Sequence, residues 1–238
     1  MKFIKNTEER VVFLLKTNET MVNALRRNMG LIPTMAIDEL EISRNDSPLY
    51  DETLAHRMGL IPLKMDKKFK EGDILKIKLD SKKEGTVYSG EIKGDAEIVY
   101  KKIPITILDK EQELKIKGKT RMGTGREHAK FSPGFMFYRK VAQIVTDKEF
   151  ENEIKRAFPE SEIKEKGSKI EIIDNKERTV SDFCEGLAQK NKKKIEVSET
   201  DAVVVSVESF GQMKAEDIFK KTIEILKKDL KEIPKKIK

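Results

Sequence analysis

Ala202-Val203-Val204-Val205-Ser206-Val207-Glu208-Ser209, followed after a short turn by the run from Ala215 to Leu230, is the stretch on which the fold turns. Val203, Val205 and Val207 alternate onto one face, the pattern of a half-buried strand. The helix expected over about 214–231 carries Ala215, Ile218, Phe219, Thr222, Ile223, Leu226 and Leu230 along one side, with lysines and acids on the other. Pro234 comes after it. An apolar stripe on a terminal helix needs a surface to cover it.

A second amphipath lies near the other end of the chain. Val11-Val12-Phe13-Leu14-Leu15 suits a buried strand. Thr17 or Asn18 can cap a helix over about 19–29, on which Met21, Val22, Leu25 and Met29 share a face. Gly30 is placed to end that helix as a left-handed residue. A strand over 32–43 follows the Pro33 turn.

The interior is organised differently. Arg44-Asn45-Asp46-Ser47-Pro48 is a loop and a candidate domain boundary. A short helix over about 51–58 aligns Leu54 with Met58 and ends at Gly59. From 73 to 145 the chain reads as strands and glycine turns: Leu75, Ile77 and Leu79 alternate, and further strands are expected at 95–100, 103–108, 114–117 and 135–145. The segment 147–200 changes character. Asp147 can cap a helix bearing Phe150, Ile154 and Phe158, stopped by Pro159, and a strand over 169–173, a helix over 180–189 and a strand over 194–197 follow. No internal repeat of fixed period is visible.

Composition narrows the function. Of 238 residues, 37% are hydrophobic, below the usual ~45–50%. Charged residues reach 38%, above the usual ~25%, so the excess charge belongs on a long solvated surface or at an interface. Basic residues number 49 against 42 acidic, a net charge of +7, gathered in clusters such as Lys67-Lys68, Lys82-Lys83, Lys192-Lys193-Lys194 and Lys235-Lys236. Acids interrupt nearly every cluster, aromatics are 6% and Trp is absent, which argues against a base-stacking surface. Lysine and glutamate enrichment is also the composition of heat-adapted proteins. The single cysteine, Cys184, excludes an intrachain disulfide and a multi-cysteine metal site. No signal peptide and no apolar run of bilayer length is seen, so a soluble, cytoplasmic protein is expected.

Three ordered motifs carry a resemblance. They are Asn23-Ala24-Leu25-Arg26-Arg27 running into Ile32-Pro33-Thr34-Met35-Ala36-Ile37-Asp38, then Leu54-Ala55-His56-Arg57-Met58-Gly59-Leu60-Ile61-Pro62-Leu63, then Arg126-Glu127-His128-Ala129-Lys130-Phe131-Ser132-Pro133. With Val207-Glu208-Ser209 before the last helix, they resemble the D-type subunits of archaeal DNA-directed RNA polymerase. The third-largest subunit of eukaryotic RNA polymerase II is similar, and the bacterial alpha subunit shares the first motif more loosely. The resemblance covers the chain in order, from first helix to last.

That resemblance implies an α+β fold with a bipartite dimerisation domain, 1–44 and 201–238. A strand-rich domain, 45–146, and a small ferredoxin-like α/β insert, 147–200, would interrupt it. It also implies a non-catalytic assembly platform for a nucleotidyltransferase complex, heterodimerising with the small subunit L and recruiting the second-largest and other polymerase subunits. Partner contacts would fall on Met21, Asn23, Leu25, Arg26, Arg27 and Met29 of the first helix, on His56, Arg57, His128 and Lys130, and on Ile218, Phe219, Thr222, Ile223, Leu226 and Leu230 of the last. Read without the resemblance, Arg26 and Arg27 are ordinary solvated arginines. Their planar guanidinium forks suit bidentate carboxylate contacts.

Other chemistries fit poorly. His56 has no second ligand at helical spacing, so a metal role is not supported. His128 has Glu127 and Lys130 nearby but no nucleophile. Gly123-Thr124-Gly125-Arg126 resembles a phosphate loop but lacks the Gly-Lys-Ser/Thr ending. Some family members carry a cysteine-rich third domain with an iron–sulfur cluster, and some relatives hold zinc; such sites need three or four thiolates. No cluster, zinc or other cofactor is therefore expected. The insert would rest instead on Phe150, Ile154, Phe158, Ile170, Ile172, Val180, Phe183 and Leu187, with Cys184 packed beside Phe183. A free-standing basic nucleic-acid-binding protein remains the alternative, and it would bind with steep salt dependence.

Overall fold

A computed structural model describes residues 1–66, 68–70 and 72–236. Lys67, half of one lysine pair noted above, lies outside them, as do the side chains of Lys235 and Lys236. In chain order the elements are β1 (Lys2–Asn6), β2 (Arg10–Lys16), α1 (Glu19–Met29), β3 (Thr34–Asn45), α2 (Asp51–Gly59), β4 (Lys76–Ser81), β5 (Gly85–Tyr88), β6 (Lys93–Gly94) and β7 (Pro104–Leu108). They continue with β8 (Leu114–Gly123), β9 (Gly134–Asp147), α3 (Glu151–Ala157), β10 (Ile163–Lys166), β11 (Lys169–Asp174), α4 (Ser181–Lys190), β12 (Glu196–Ser209) and α5 (Ala215–Lys236). The architecture is mixed and sheet-rich. The chain divides into two compact units, Met1–Ala24 with Met136–Val207, and Leu25–Phe135 with the chain from Glu208.

The first unit is built on one sheet of strand order β1-β2-β12-β9-β11-β10. Successive strand residues face opposite sides, and the burial follows that rule. Ala142, Ile144, Ile170 and Ile172 point to the side where Phe150, Ile154 and Phe158 meet Val180, Cys184 and Leu187. Val12, Val141 and Val204 cluster separately, with Ile173 packed against them. The residues expected to hold the insert together do gather, with Phe183 partly buried at their edge and its ring 5.4 Å from that of Phe158. From β9 onward the succession is strand, helix, strand, strand, helix, strand.

Some expectations here are corrected. The strands read at 194–197 and 202–209 are one continuous strand, β12. Ser198-Glu199-Thr200-Asp201 looks like a loop by composition. In the sheet, Ser198 Oγ donates to the Gln143 carbonyl at 3.4 Å and Thr200 Oγ1 to the Val141 carbonyl at 3.0 Å, and the ladder overrides local preference. Asp147 does not cap the next helix; its carboxylate pairs with Lys193 at 2.9 Å, and a 3₁₀ turn over Lys148–Phe150 leads into α3. β1 and β10 were not anticipated.

The second unit contains a four-stranded sheet, β3-β8-β4-β6, and a small ribbon, β5-β7. The β4 alternation holds, with Ile77 and Leu79 buried and Lys76, Lys78 and Asp80 exposed. These residues join Met35, Ile37, Leu54, Met58 and Ile61 in a core under α2. The strand expected at 95–100 is absent and only Leu63 and Ile98 form a bridge. Pro62, which has no N–H to donate, breaks up the ladder on the facing segment. α5 runs to Lys236, past the expected end at 231 and past Pro234. A proline in the final turn removes a single donor there.

Gly30 does not take the left-handed conformation expected of it. α1 instead tightens into 3₁₀-type bonds, Leu31 N to Asn28 O at 3.0 Å and Ile32 N to Met29 O at 3.2 Å. Its start is as read: Asn18 Oδ1 accepts the Met21 N–H at 2.9 Å.

Candidate functional site

In the second unit, β3, α2 and the loop before β9 enclose a cleft of about 410 Å³. His56, His128 and Lys130, separated in sequence, all line it, together with Asp38, Asp51 and Glu52. Asp38 is brought there by a bulge. β3 pairs Ile37 with Thr120 and Glu39 with Lys119, which leaves Asp38 as an extra residue between two paired positions. An inserted residue of this kind re-aims its side chain.

Around Asp38 the loop is held by charge. Lys130 Nζ lies 2.6 Å from Asp38 Oδ1, and Arg121 Nε lies 3.0 Å from Oδ2. Arg121 also reaches Glu127 at 3.0 Å. The hydrogen bond from Lys130 holds the Asp38 carboxyl below its usual range, against the opposing effect of burial, and the bond from Arg121 does the same for Glu127. Phe131, fully buried, lies under both cations, 4.7 Å from the Arg121 guanidinium and 5.0 Å from Lys130 Nζ.

The Gly123–Arg126 turn is occupied internally. Thr124 donates its N–H and hydroxyl to Glu127 Oε1 at 3.1 and 3.0 Å, and Arg126 N donates to the Gly30 carbonyl at 3.1 Å. Two of the amides a phosphate would need are therefore already engaged. His128 Nδ1 accepts the Lys130 N–H at 3.1 Å, which fixes the ring at the turn and leaves it exposed. Arg57, exposed, donates to the Pro104 carbonyl at 2.6 Å. Among the described residues no three histidine, cysteine, aspartate or glutamate side chains converge as a metal-ligand set.

The helical candidates divide by exposure. On α1, Val22, Leu25 and Met29 are buried, Arg26 and Arg27 are exposed, and Asn23 is intermediate. Met21, expected on the buried face, is 45% exposed. It stands about 100° around the helix from Val22, at the outer edge of the 22-25-29 stripe beside Leu25. On α5, Ala215, Ile218, Phe219 and Thr222 are buried. Ile223 and Leu226 are only half covered, and Leu230 is 51% exposed. The stripe is thus sealed at its start and open further along.

Arg121, Asp51 and Glu52 carry no signal along the chain that would mark them, and Asp38 shows no role there. Only the bulge and the docked loop bring them together.

Comparison with known proteins agrees with this geometry. Residues 20–136, which include the whole cleft, match the family described as RNA polymerase Rpb3/RpoA insert domain. The DNA-directed RNA polymerase subunit Rpo3 of Pyrococcus horikoshii is 33% identical, over 95% of this chain and 93% of its own. The chain belongs to the DNA-directed RNA polymerase subunit Rpo3 family. The Rpo3 of Natronomonas pharaonis is 32% identical over 93% of this chain and 91% of its own, and that of Archaeoglobus fulgidus 27% over 99% and 96%. Members of the Rpo3 family thus align along the whole length, the first unit included.

Proposed function

We propose that this chain is a non-catalytic assembly platform of DNA-directed RNA polymerase, pairing with the small subunit L and recruiting the second-largest subunit. The observation that carries the reading is α5. Its first turns are sealed within the chain, while Ile223 and Leu226 are only partly covered and Leu230 is exposed, so the apolar stripe opens toward the end of the helix. A row of that kind suits the facing helix of a partner. The exposed Arg26 and Arg27, and the rim of the His56–His128 cleft, supply polar contacts for a larger subunit. In this reading the polymerase reaction belongs to other chains of the complex.

Within this reading, 1–44 and 201–238 form the dimerisation domain, 45–146 the inserted domain, and 147–200 a ferredoxin-like insert. The succession β9-α3-β10-β11-α4-β12, with the strand order β12-β9-β11-β10, supports the last assignment. The flanking strands β9 and β12 then belong to that fold although they extend beyond 147–200. The insert would work without a cluster. Cys184 is 1% exposed, and burial pushes its thiol up to about 12, which disfavours a thiolate ligand. No described helix is long and apolar enough to cross a membrane, in keeping with work in the cytoplasm.

Affinity capture of the tagged chain from its native lysate, with mass spectrometry, tests the proposal. Stoichiometric, nuclease-resistant recovery of a small partner with the large polymerase subunits is expected. Recovery of the chain alone, or with nucleic acid that nuclease and salt remove, would overturn it.

A further inference from the structure

The outer face of the four-stranded sheet concentrates positive charge. Lys76 on β4 stands directly across from Lys119 on β8, and Lys78 directly across from Lys117. On the edge strand β6, Lys93 stands across from Lys78. Directly opposed residues have Cβ atoms about 4.5–5.5 Å apart, and like charges there repel. Elsewhere the sheet neutralises its lysines. Lys115, the next outward residue of β8, lies 2.9 Å from Glu113, and Lys82 lies 2.8 Å from the same carboxylate. On the basic face Lys78 has Asp80 at 3.2 Å and Lys119 has Glu39 at 3.6 Å. Lys76, Lys93 and Lys117 are exposed and form no ion pair among the described residues, although Glu41 on β3 stands directly across from Lys117.

These lysines line a groove of about 700 Å³. We propose that it docks an extended acidic segment of a partner polypeptide. Carboxylates laid between the lysines would relieve their mutual repulsion. The repeat also fits: Lys76 and Lys78 on one strand, and Lys117 and Lys119 on the next, are two residues apart, about 6.4–6.8 Å. An extended chain bearing an acid at every second residue presents charge at that same interval. Nucleic acid fits less well. None of the described lining residues is aromatic, so bases find no stacking platform, whereas the carboxylates of a peptide need none. This inference goes beyond the assembly reading, which rests on α5.

The test is fluorescence anisotropy of a labelled, alternating glutamate–serine octapeptide titrated with the full chain. Binding is expected at low salt and should fall as salt is raised. Lys78→Glu with Lys117→Glu should weaken it about ten-fold. A control pair in the other unit, Lys148→Glu with Lys155→Glu, should leave it unchanged, and a glutamine–serine peptide should not bind. Far-UV circular dichroism checks that both double variants fold. No binding by the native chain, or equal loss in both double variants, overturns the proposal. So does binding of labelled oligothymidylate that Lys78→Glu with Lys117→Glu abolishes while the acidic peptide fails to bind. Failure here leaves subunit capture as expected, so the two readings fail separately.

Discussion

Replacing Asp38 by Asn probes the arrangement that holds the His128 loop against β3. The carboxylate, 25% exposed, accepts from Lys130, 15% exposed, at 2.6 Å, and from the more open Arg121 at 3.0 Å. A hydrogen bond to a charged group contributes roughly 1.5–3 kcal/mol. The Lys130 bond belongs near the lower end, because solvent still reaches the carboxylate, and the Arg121 pair adds about 0.5 kcal/mol. Asp38→Asn keeps the shape and removes the charge, so a loss of about 2 kcal/mol is expected. Urea unfolding followed by circular dichroism should show a lower midpoint with an unchanged slope. A double-mutant cycle with Lys130→Met should return a coupling of about 1 kcal/mol. The sign with pH is determined by Asp38 being held below its ordinary value of 3.8. The native advantage over Asp38→Asn is then present above that pH and disappears as pH falls through the folded-state value. A difference under about 0.5 kcal/mol at neutral pH would refute the idea that these ion pairs hold the loop, since that is the range of a neutral surface change.

Three further outcomes are expected. A Cβ on Gly134 would fall 2.1 Å from the Glu208 carbonyl oxygen and 3.1 Å from Ile218 Cδ1. Backbone cannot yield there, so Gly134→Ala should destabilise by about 1–3 kcal/mol or more in thermal melts. On α5, Leu226→Lys with Leu230→Lys should change the stability of the isolated chain by less than about 1 kcal/mol, while abolishing capture of the small partner; retained capture would show that the open stripe is not the interface. Lys82 and Lys115 hold the Glu113 carboxyl down at about 2, against an ordinary 4.5. Its contribution to folding is therefore full above about 4.5 and is lost between there and about 2. Acid titration of Glu113→Gln should lack the part of the native chain's destabilisation that falls in that window.

Elements whose signal is local were legible in the chain. α1, α2, α4, β4 and the start of α5 lie where periodicity and capping put them, because an amphipathic stripe or an Asn18 cap is written within a few residues. The ordered motifs around Arg26, His56 and His128 were enough to indicate the family, because each is a contiguous block. Features that depend on partners distant in the chain were not legible there. The sheet ladder converted Ser198–Asp201 from apparent loop into strand, and pairing alone created β1, β6 and β10. The Asp38 bulge exists only in the register of β3 against β8, so the cleft shared by His56 and His128 could not be read from either motif. Along the chain nothing sets Lys76, Lys78, Lys117 and Lys119 apart from the other lysines. Only antiparallel register sets them face to face, because charge repulsion across a sheet depends on which residues stand opposite, and that is a property of the fold.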